Sequence, residues 1–202
     1  MSAMDEVYSR PEFYWGREPN DLCKDVLDRF AHGGAGRTVL DMGCGEGRDS
    51  IAFARAGFVP TAVDVSLPGL AKAQAWAEAE GLPLQTQQGS IITYRPAHEY
   101  DVIYGSGVLQ HLDVHQRAEV FAAYKAATKV GGINAFNVFV EKPFIAIPPD
   151  WQPDEFHFRP GDLLQFYWDW QIISFSEIIF DCNSGGTPHQ HAMDVMIARR
   201  VV

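Results

Sequence analysis

The chain has 202 residues, 47% hydrophobic and 21% charged, enough to bury the core of one α/β domain without a second. Lys+Arg 16 against Asp+Glu 26 leave a formal net charge of −10, which repels a phosphate backbone and points away from nucleic acid toward a small-molecule substrate. No apolar run approaches the ~18 residues that span a bilayer, and the three cysteines show neither CxxC pairing nor metal spacing. With no basic and apolar leader at the N-terminus, a cytoplasmic protein without membrane association is expected.

Residues 5–19 read as an irregular, aromatic-rich opening. Its Tyr14, Trp15 and Arg17 either pack over an edge of the fold or close as a lid on a ligand. Asn20 is placed to cap a helix running to about Phe30, with Leu22, Val26, Leu27 and Phe30 on one face. A first strand at about 37–42 ends in Asp41 and enters Gly43-Cys44-Gly45-Glu46-Gly47-Arg48. Glycine takes positive φ and lets a ligand approach the backbone, and the helix that follows offers free N–H groups. The spacing is Gly-x-Gly-x-Gly, neither the dinucleotide fingerprint nor a P-loop. For Cys44 a space-filling role in the turn is favoured over a reactive thiol.

Val59 to Asp64 is the second strand. Asp64 lies about twenty residues past the glycine turn, where an acidic side chain accepts ribose hydroxyls in doubly wound folds. An alanine-rich helix spans Leu67 to Glu80. A third strand at 84–88 leads to Gly89-Ser90-Ile91, and a fourth from about residue 99 leads to Gly105-Ser106-Gly107-Val108-Leu109-Gln110-His111-Leu112. For His111, packing at a helix start and lining a ligand pocket are both open. Val114 to Lys129 is an amphipathic helix, and Gly131-Gly132 turns into a fifth strand, Ile133 to Val140. Alternating strands and helices require a parallel sheet with right-handed crossovers and ligands at the carboxyl ends of its strands.

A proline- and aromatic-rich stretch (141–160) follows, read as a long ordered loop over the ligand edge. After a short helix at 161–167, two strands (170–180 and 190–199) flank Asn183-Ser-Gly-Gly and are expected to form an antiparallel hairpin. His189 and His191, two apart on a strand, share a face. They are half-exposed polar residues, a substrate-orienting or general-base pair, or part of a metal site; no Asp or Cys at fixed local spacing completes a metal set, though folding can bring His157 near.

Val39-Leu-Asp-Met-Gly-Cys-Gly-Glu-Gly-Arg48 resembles the first motif of class I S-adenosylmethionine (SAM) methyltransferases, and Val108-Leu-Gln-His-Leu112 resembles their fourth. The resemblance implies a Rossmann-like, doubly wound, seven-stranded α/β sheet, mostly parallel with a C-terminal antiparallel hairpin. It also implies SAM as cofactor. Contacts are then expected from Asp41, Gly43, Cys44, Gly45, Gly47 and Arg48 on the first turn, Asp64 and Val65 on the second, and Gly89, Ser90 and Ile91 on the third. Gly105, Ser106 and Val108 belong to the fourth, with Trp15 and Arg17 from the opening segment. Ser90 stands where many family members carry an Asp that reads adenine, and Val130 replaces a proline in the family's Lys-Pro-Gly-Gly turn.

Phe156-His-Phe-Arg-Pro-Gly-Asp-Leu-Leu and the ending Met196-Ile-Ala-Arg-Arg resemble the tellurite-resistance TehB-like branch, whose members are thought to methylate chalcogen oxyanions or other small nucleophiles. His189-Gln-His191 stands where that branch tends to carry a His-Arg pair. The expected organisation is a single methyltransferase domain: an N-terminal lid and helix (1–35), a SAM-binding core (36–140) and a substrate-side part (141–202). It is expected to work as a monomer or homodimer on a small-molecule methyl acceptor. His189 and His191, then His111, are the candidate bases, and Tyr14, Trp15, Phe156, Phe158 and Trp170 the candidate pocket aromatics. No metal is assigned. The alternatives are a nicotinamide-dependent oxidoreductase and a non-catalytic SAM-binding module.

Overall fold

Thr38–Met42 (β1) is an interior strand of a seven-stranded sheet, apolar on both faces as a strand covered by helices on each side must be. Residues 3–30 and 33–202 are described by this computed structural model. Met1, Ser2, Ala31 and His32, all within the expected N-terminal segment, lie outside the described residues. Val59–Asp64 (β2) and Gln85–Gln88 (β3) continue the sheet to one side of β1. Tyr100–Gly105 (β4), Thr128–Val140 (β5), His189–Arg199 (β7) and Gln171–Cys182 (β6) continue it to the other, giving the order β3-β2-β1-β4-β5-β7-β6. Of the seven strands, β7 alone runs against the direction of the others. The expected mixed sheet with a terminal hairpin is therefore the fold.

The direction in which the sheet grows reverses between β1 and β4, which opens a crevice beyond their carboxyl ends. One face of the sheet (Val39, Val102, Tyr104, Ala135) packs on Asp21–Asp28 (α2) and Arg48–Arg55 (α3). The other face (Leu40, Met42, Ile103, Phe136) packs on Val114–Ala126 (α5) and Asp162–Phe166 (α6). Leu67–Glu80 (α4) covers the β2 side, with Trp76 and Ala77 against Ile51. No helix among the described residues is long and apolar enough to cross a membrane.

Two expectations are corrected. The opening segment is not irregular throughout, since Ala3–Tyr8 forms a helix (α1) that packs on α4. The fifth strand begins at Thr128 rather than Ile133: Thr128 already pairs with Tyr100, and a register shift absorbs the residues around Gly131.

Candidate functional site

The glycine turn is held open by three loops meeting at one aspartate. Asp64, at the end of β2, accepts the Gly45 N–H at 2.9 Å and the Ser66 N–H at 2.8 Å, while its own carbonyl accepts the Gly89 N–H at 2.9 Å. Asp64 thus joins the loops after β1, β2 and β3. Burial pushes its carboxyl above the ordinary value against the pull of those N–H donors. Gly43 and Cys44 donate to the Val63 carbonyl at 2.8 and 3.1 Å, which shapes the turn from below. Gly43 has φ +73° and a Cβ there would lie 2.4 Å from Val108 Cγ2, so the loops after β1 and β4 close on each other only because the side chain is absent.

Behind the turn lies a buried acidic pair. Asp41 accepts the Ser50 hydroxyl at 2.5 Å; Asp49 accepts the Asn20 N–H at 2.8 Å and the Tyr104 hydroxyl at 3.0 Å. Burial, then the charge of Asp49, push the Asp41 carboxyl up to about 7. Burial also raises Asp49, against the nearby Arg48 guanidinium. A crevice backed by buried carboxylates that lack sufficient cationic partners favours a ligand carrying positive charge.

The aromatic opening covers this turn through contacts that sequence reasoning did not single out. Tyr8, on α1, is buried with its hydroxyl 3.0 Å from where a Gly45 Cβ would stand, and Trp15 Nε1 donates to that hydroxyl at 3.0 Å. Glu46, inside the glycine turn, accepts the Tyr14 N–H at 2.7 Å and the Lys72 ammonium at 2.6 Å, and so holds residues 12–15 across the turn. The only signal for this role was its place in the motif. Arg48 donates to the Trp15 carbonyl at 3.2 Å. Arg17, grouped with Trp15 on sequence grounds, is turned elsewhere: its guanidinium lies over Phe13 and Trp76 at 4.3 and 5.0 Å from the ring centroids. That stacking joins Arg17 to Phe13, within the segment that crosses the turn, and to Trp76 on α4.

The third and fourth loops carry the remaining expected contacts. Ser90 Oγ accepts the Ile92 N–H at 3.2 Å, Ile91 is buried, and Val65 is exposed. Ser106 Oγ accepts from Asn20 Nδ2 at 2.6 Å and Asn137 Nδ2 at 2.9 Å, and Asn137 Oδ1 accepts the Gly107 N–H at 2.8 Å. Asn20 also caps α2 by accepting the Leu22 N–H at 2.8 Å. One asparagine therefore ties the N-terminal helix to the loop after β4. Gly105 is closely packed, 3.4 Å from Phe136 and Val108 for a hypothetical Cβ, whereas Gly107 faces open space.

On the substrate side the three candidate histidines separate. His111 is exposed after β4 and shares no hydrogen bond or ion pair with His189 or His191 among the described residues. Its neighbour is Glu155: burial pushes that carboxyl up, but His157, the Gln152 N–H and His111 outweigh burial and hold it below its ordinary value. His189 and His191 face each other, Nε2 to Nε2, at 2.9 Å, with Asp150 Oδ1 at 3.0 and 3.3 Å. The fold brings to this pair an acid and a thiol, Asp150 and Cys182, that no local spacing announced. His157 instead stacks on Trp151 at 3.4 Å between ring centroids. Beside the pair, a cleft of about 620 Å³ is lined by Val140, Phe144, Ile147, Trp151, Arg159 and His191. Phe158 and Trp170 are not pocket aromatics: Phe158 is fully buried and Trp170 packs edge-on against Tyr167 in the core.

A family model described as "Tellurite resistance protein TehB" matches residues 24–186. Hemagglutinin 1 of Eikenella corrodens is 29% identical over 165 residues, 80% of this chain and 54% of its own length. The probable S-adenosyl-L-methionine-dependent methyltransferase TehB of Haemophilus influenzae is 27% identical over 172 residues, 84% of this chain and 59% of its own. The crystal structure of TehB from Haemophilus influenzae superposes with a TM-score of 0.79 at 22% identity, over 98% of this chain and 65% of that one. The chain thus spans less than two thirds of each.

Proposed function

The chain belongs to the TehB tellurite-resistance protein family, and from that premise we propose that it is a SAM-dependent methyltransferase acting on a small-molecule nucleophile. The observation that carries this reading is Asp64, whose carboxylate sits at the end of β2 bonded to the N–H of the glycine turn. When bound, SAM supplies an activated methyl on a positive sulfur. The chain's part is to hold that cation and orient the acceptor. Asp41 and Asp64 favour the positive charge, the glycine turn admits close approach, and Tyr8 and Trp15 exclude water above it. Gly43, Cys44, Gly45, Gly47, Gly89, Ser90, Ile91, Gly105, Ser106 and Val108 are proposed to complete the cofactor's surroundings.

The acceptor is proposed to enter from the loop after β4 and the 141–160 loop. A thiol, hydroxyl or amine must lose its proton there, and His111, exposed beside Glu155, is the proposed base. Chalcogen oxyanions need no base, so they would be methylated equally well by a His111→Gln variant. Calorimetry with SAM, followed by an acceptor screen read out as S-adenosylhomocysteine, tests the proposal. Micromolar SAM binding that Asp64→Ala weakens supports it; tighter binding of NAD(P)H than of SAM sinks it.

A further inference from the structure

We propose that Asp150, Cys182, His189 and His191 bind a tetrahedral divalent transition-metal ion of the zinc class, clamping the 141–160 loop to the last hairpin. The site goes beyond the methyltransferase reading and does not depend on it. Its skeleton follows from strand geometry. His189 and His191 are two apart on β7 and share a face; Cys182 on β6 is the register partner of His189, and cross-strand partners point to the same face. Three ligands thus rise from one side of the hairpin, and Asp150 descends from the loop. All four candidate ligand atoms lie within 4.8 Å of one another.

The hydrogen bonds around the cluster specify what it lacks. His189 Nδ1 lies 2.7 Å from the Thr187 carbonyl, which can only accept, so Nδ1 carries a proton and Nε2 is the ring atom turned to the cluster, available as a lone pair whenever the ring is neutral. That nitrogen faces His191 Nε2 at 2.9 Å and a carboxylate oxygen of Asp150 at 3.0 Å. The same oxygen is buried without a hydrogen-bond partner. His191, 2% exposed, also leaves its Nδ1 unpartnered, so its ring is held by polar contacts only through the cluster. His191 Nε2 also lies 3.3 Å from the other Asp150 oxygen, so one shared proton or one cation would join these groups, and the Cys182 thiol brought to the same point favours a metal ion.

The donor set selects that cation. Two imidazoles, a thiolate and one carboxylate form a closed N2SO set of the kind that suits zinc and not magnesium or calcium. Bonds of ~2.0–2.3 Å in a tetrahedron place ligand atoms about 3.3–3.7 Å apart, against 2.9–3.3 Å between the nitrogen and carboxylate atoms here and no more than 4.8 Å across the whole set, so the nitrogens and carboxylate would spread slightly to admit the ion. Outer partners are also in place. The Thr187 carbonyl orients His189, and the Ser184 N–H and hydroxyl lie 3.4 and 3.2 Å from Cys182 Sγ. A bound ion would fix Asp150 and the adjoining Trp151, and with them one wall of the 620 Å³ cleft.

Cobalt(II) is the probe. The full chain, stripped with chelator under reducing conditions, is titrated with Co²⁺ and its visible spectrum recorded, with zinc as competitor. The expected result is one tight equivalent showing intense tetrahedral bands and a thiolate-to-cobalt charge-transfer band, both abolished by zinc. Cys182→Ser should remove the charge-transfer band, and His191→Ala should weaken binding more than about tenfold. Circular dichroism and SAM calorimetry on the same variants show whether each remains folded. No stoichiometric uptake by the wild type would overturn the proposal and leave a hydrogen-bonded proton-sharing cluster. So would a spectrum that Cys182→Ser leaves unchanged.

Discussion

The Ser50 hydroxyl donates to the Asp41 carboxylate at 2.5 Å and opposes the upward push of burial and of the Asp49 charge on that carboxyl. Asp41 titrates near 7 in the folded chain against an ordinary 3.8, so between those values the native state holds a proton that the unfolded state has released. Stability from this group is therefore fully present below about pH 4 and is lost as pH rises through about 7, a change of order 2–4 kcal/mol. Urea unfolding of the wild type should fall in midpoint across that window, and Asp41→Asn should flatten the fall. A cationic ligand reverses the shift. SAM binding near pH 6.5 should release a proton, seen as a dependence of calorimetric enthalpy on buffer ionisation. Parallel pH profiles for wild type and variant would refute this account.

Asp64 has two duties that substitution can separate. Its oxygens accept the Gly45 and Ser66 N–H groups, and it is proposed to meet the cofactor ribose. Asparagine keeps one acceptor but loses the charge, and charge-assisted hydrogen bonds contribute about 1.5–3 kcal/mol each. Asp64→Asn should therefore remain folded and bind SAM roughly 10–100-fold more weakly, while Asp64→Ala also lowers the melting temperature. Calorimetry paired with circular dichroism distinguishes the two effects. Equal SAM affinity in wild type and Asp64→Asn would remove Asp64 from the cofactor site.

Gly43 and Val108 offer a double-mutant cycle on the closure of the β1 and β4 loops. Gly43→Ala meets positive φ, costing about 1–2 kcal/mol, and a clash with Val108 that adds about 1–3 kcal/mol. Val108→Gly, which removes the Cβ 2.6 Å away as well as both methyls, should relieve the second part only. The measured coupling in urea denaturation should then exceed about 0.5 kcal/mol, and strict additivity would show that the loops do not press on each other.

The parts of this fold written in local pattern were legible, and the parts made by convergence were not. Val59–Asp64 and Leu67–Glu80 have the ends their patterns announce, because a strand between turn signals and an alanine-rich helix between Ser66 and Gly81 carry their own boundaries. The glycine turn and Asp64 were visible as a motif with spacing. Asp150 was invisible because 32 residues and a proline-rich loop separate it from Cys182, and only the β6–β7 register and the course of that loop unite them. Tyr8 was hidden for a similar reason: its contact is with a glycine on another element.

Arg117 offers a last test, of the link between α5 and the substrate-side loop. It is 4% exposed, donates from Nε to the Leu112 carbonyl at 3.2 Å and from Nη2 to the Phe156 and His157 carbonyls at 2.5 and 3.2 Å, and lies 3.5 Å from the Phe158 ring centroid. Burial lowers its pKa, with Asp162 at 3.7 Å opposing that shift. Lysine cannot reproduce the planar fork, and methionine leaves the carbonyls without donors and Asp162 without its cation. Arg117→Met should cost about 3–5 kcal/mol and Arg117→Lys somewhat less. Because residues 156–158 join the 141–160 loop to the core, the KM for the methyl acceptor should rise in Arg117→Lys, with SAM affinity changing less than about twofold. A loss of SAM affinity matching the loss of acceptor affinity would show that Arg117 supports the whole fold rather than the acceptor side.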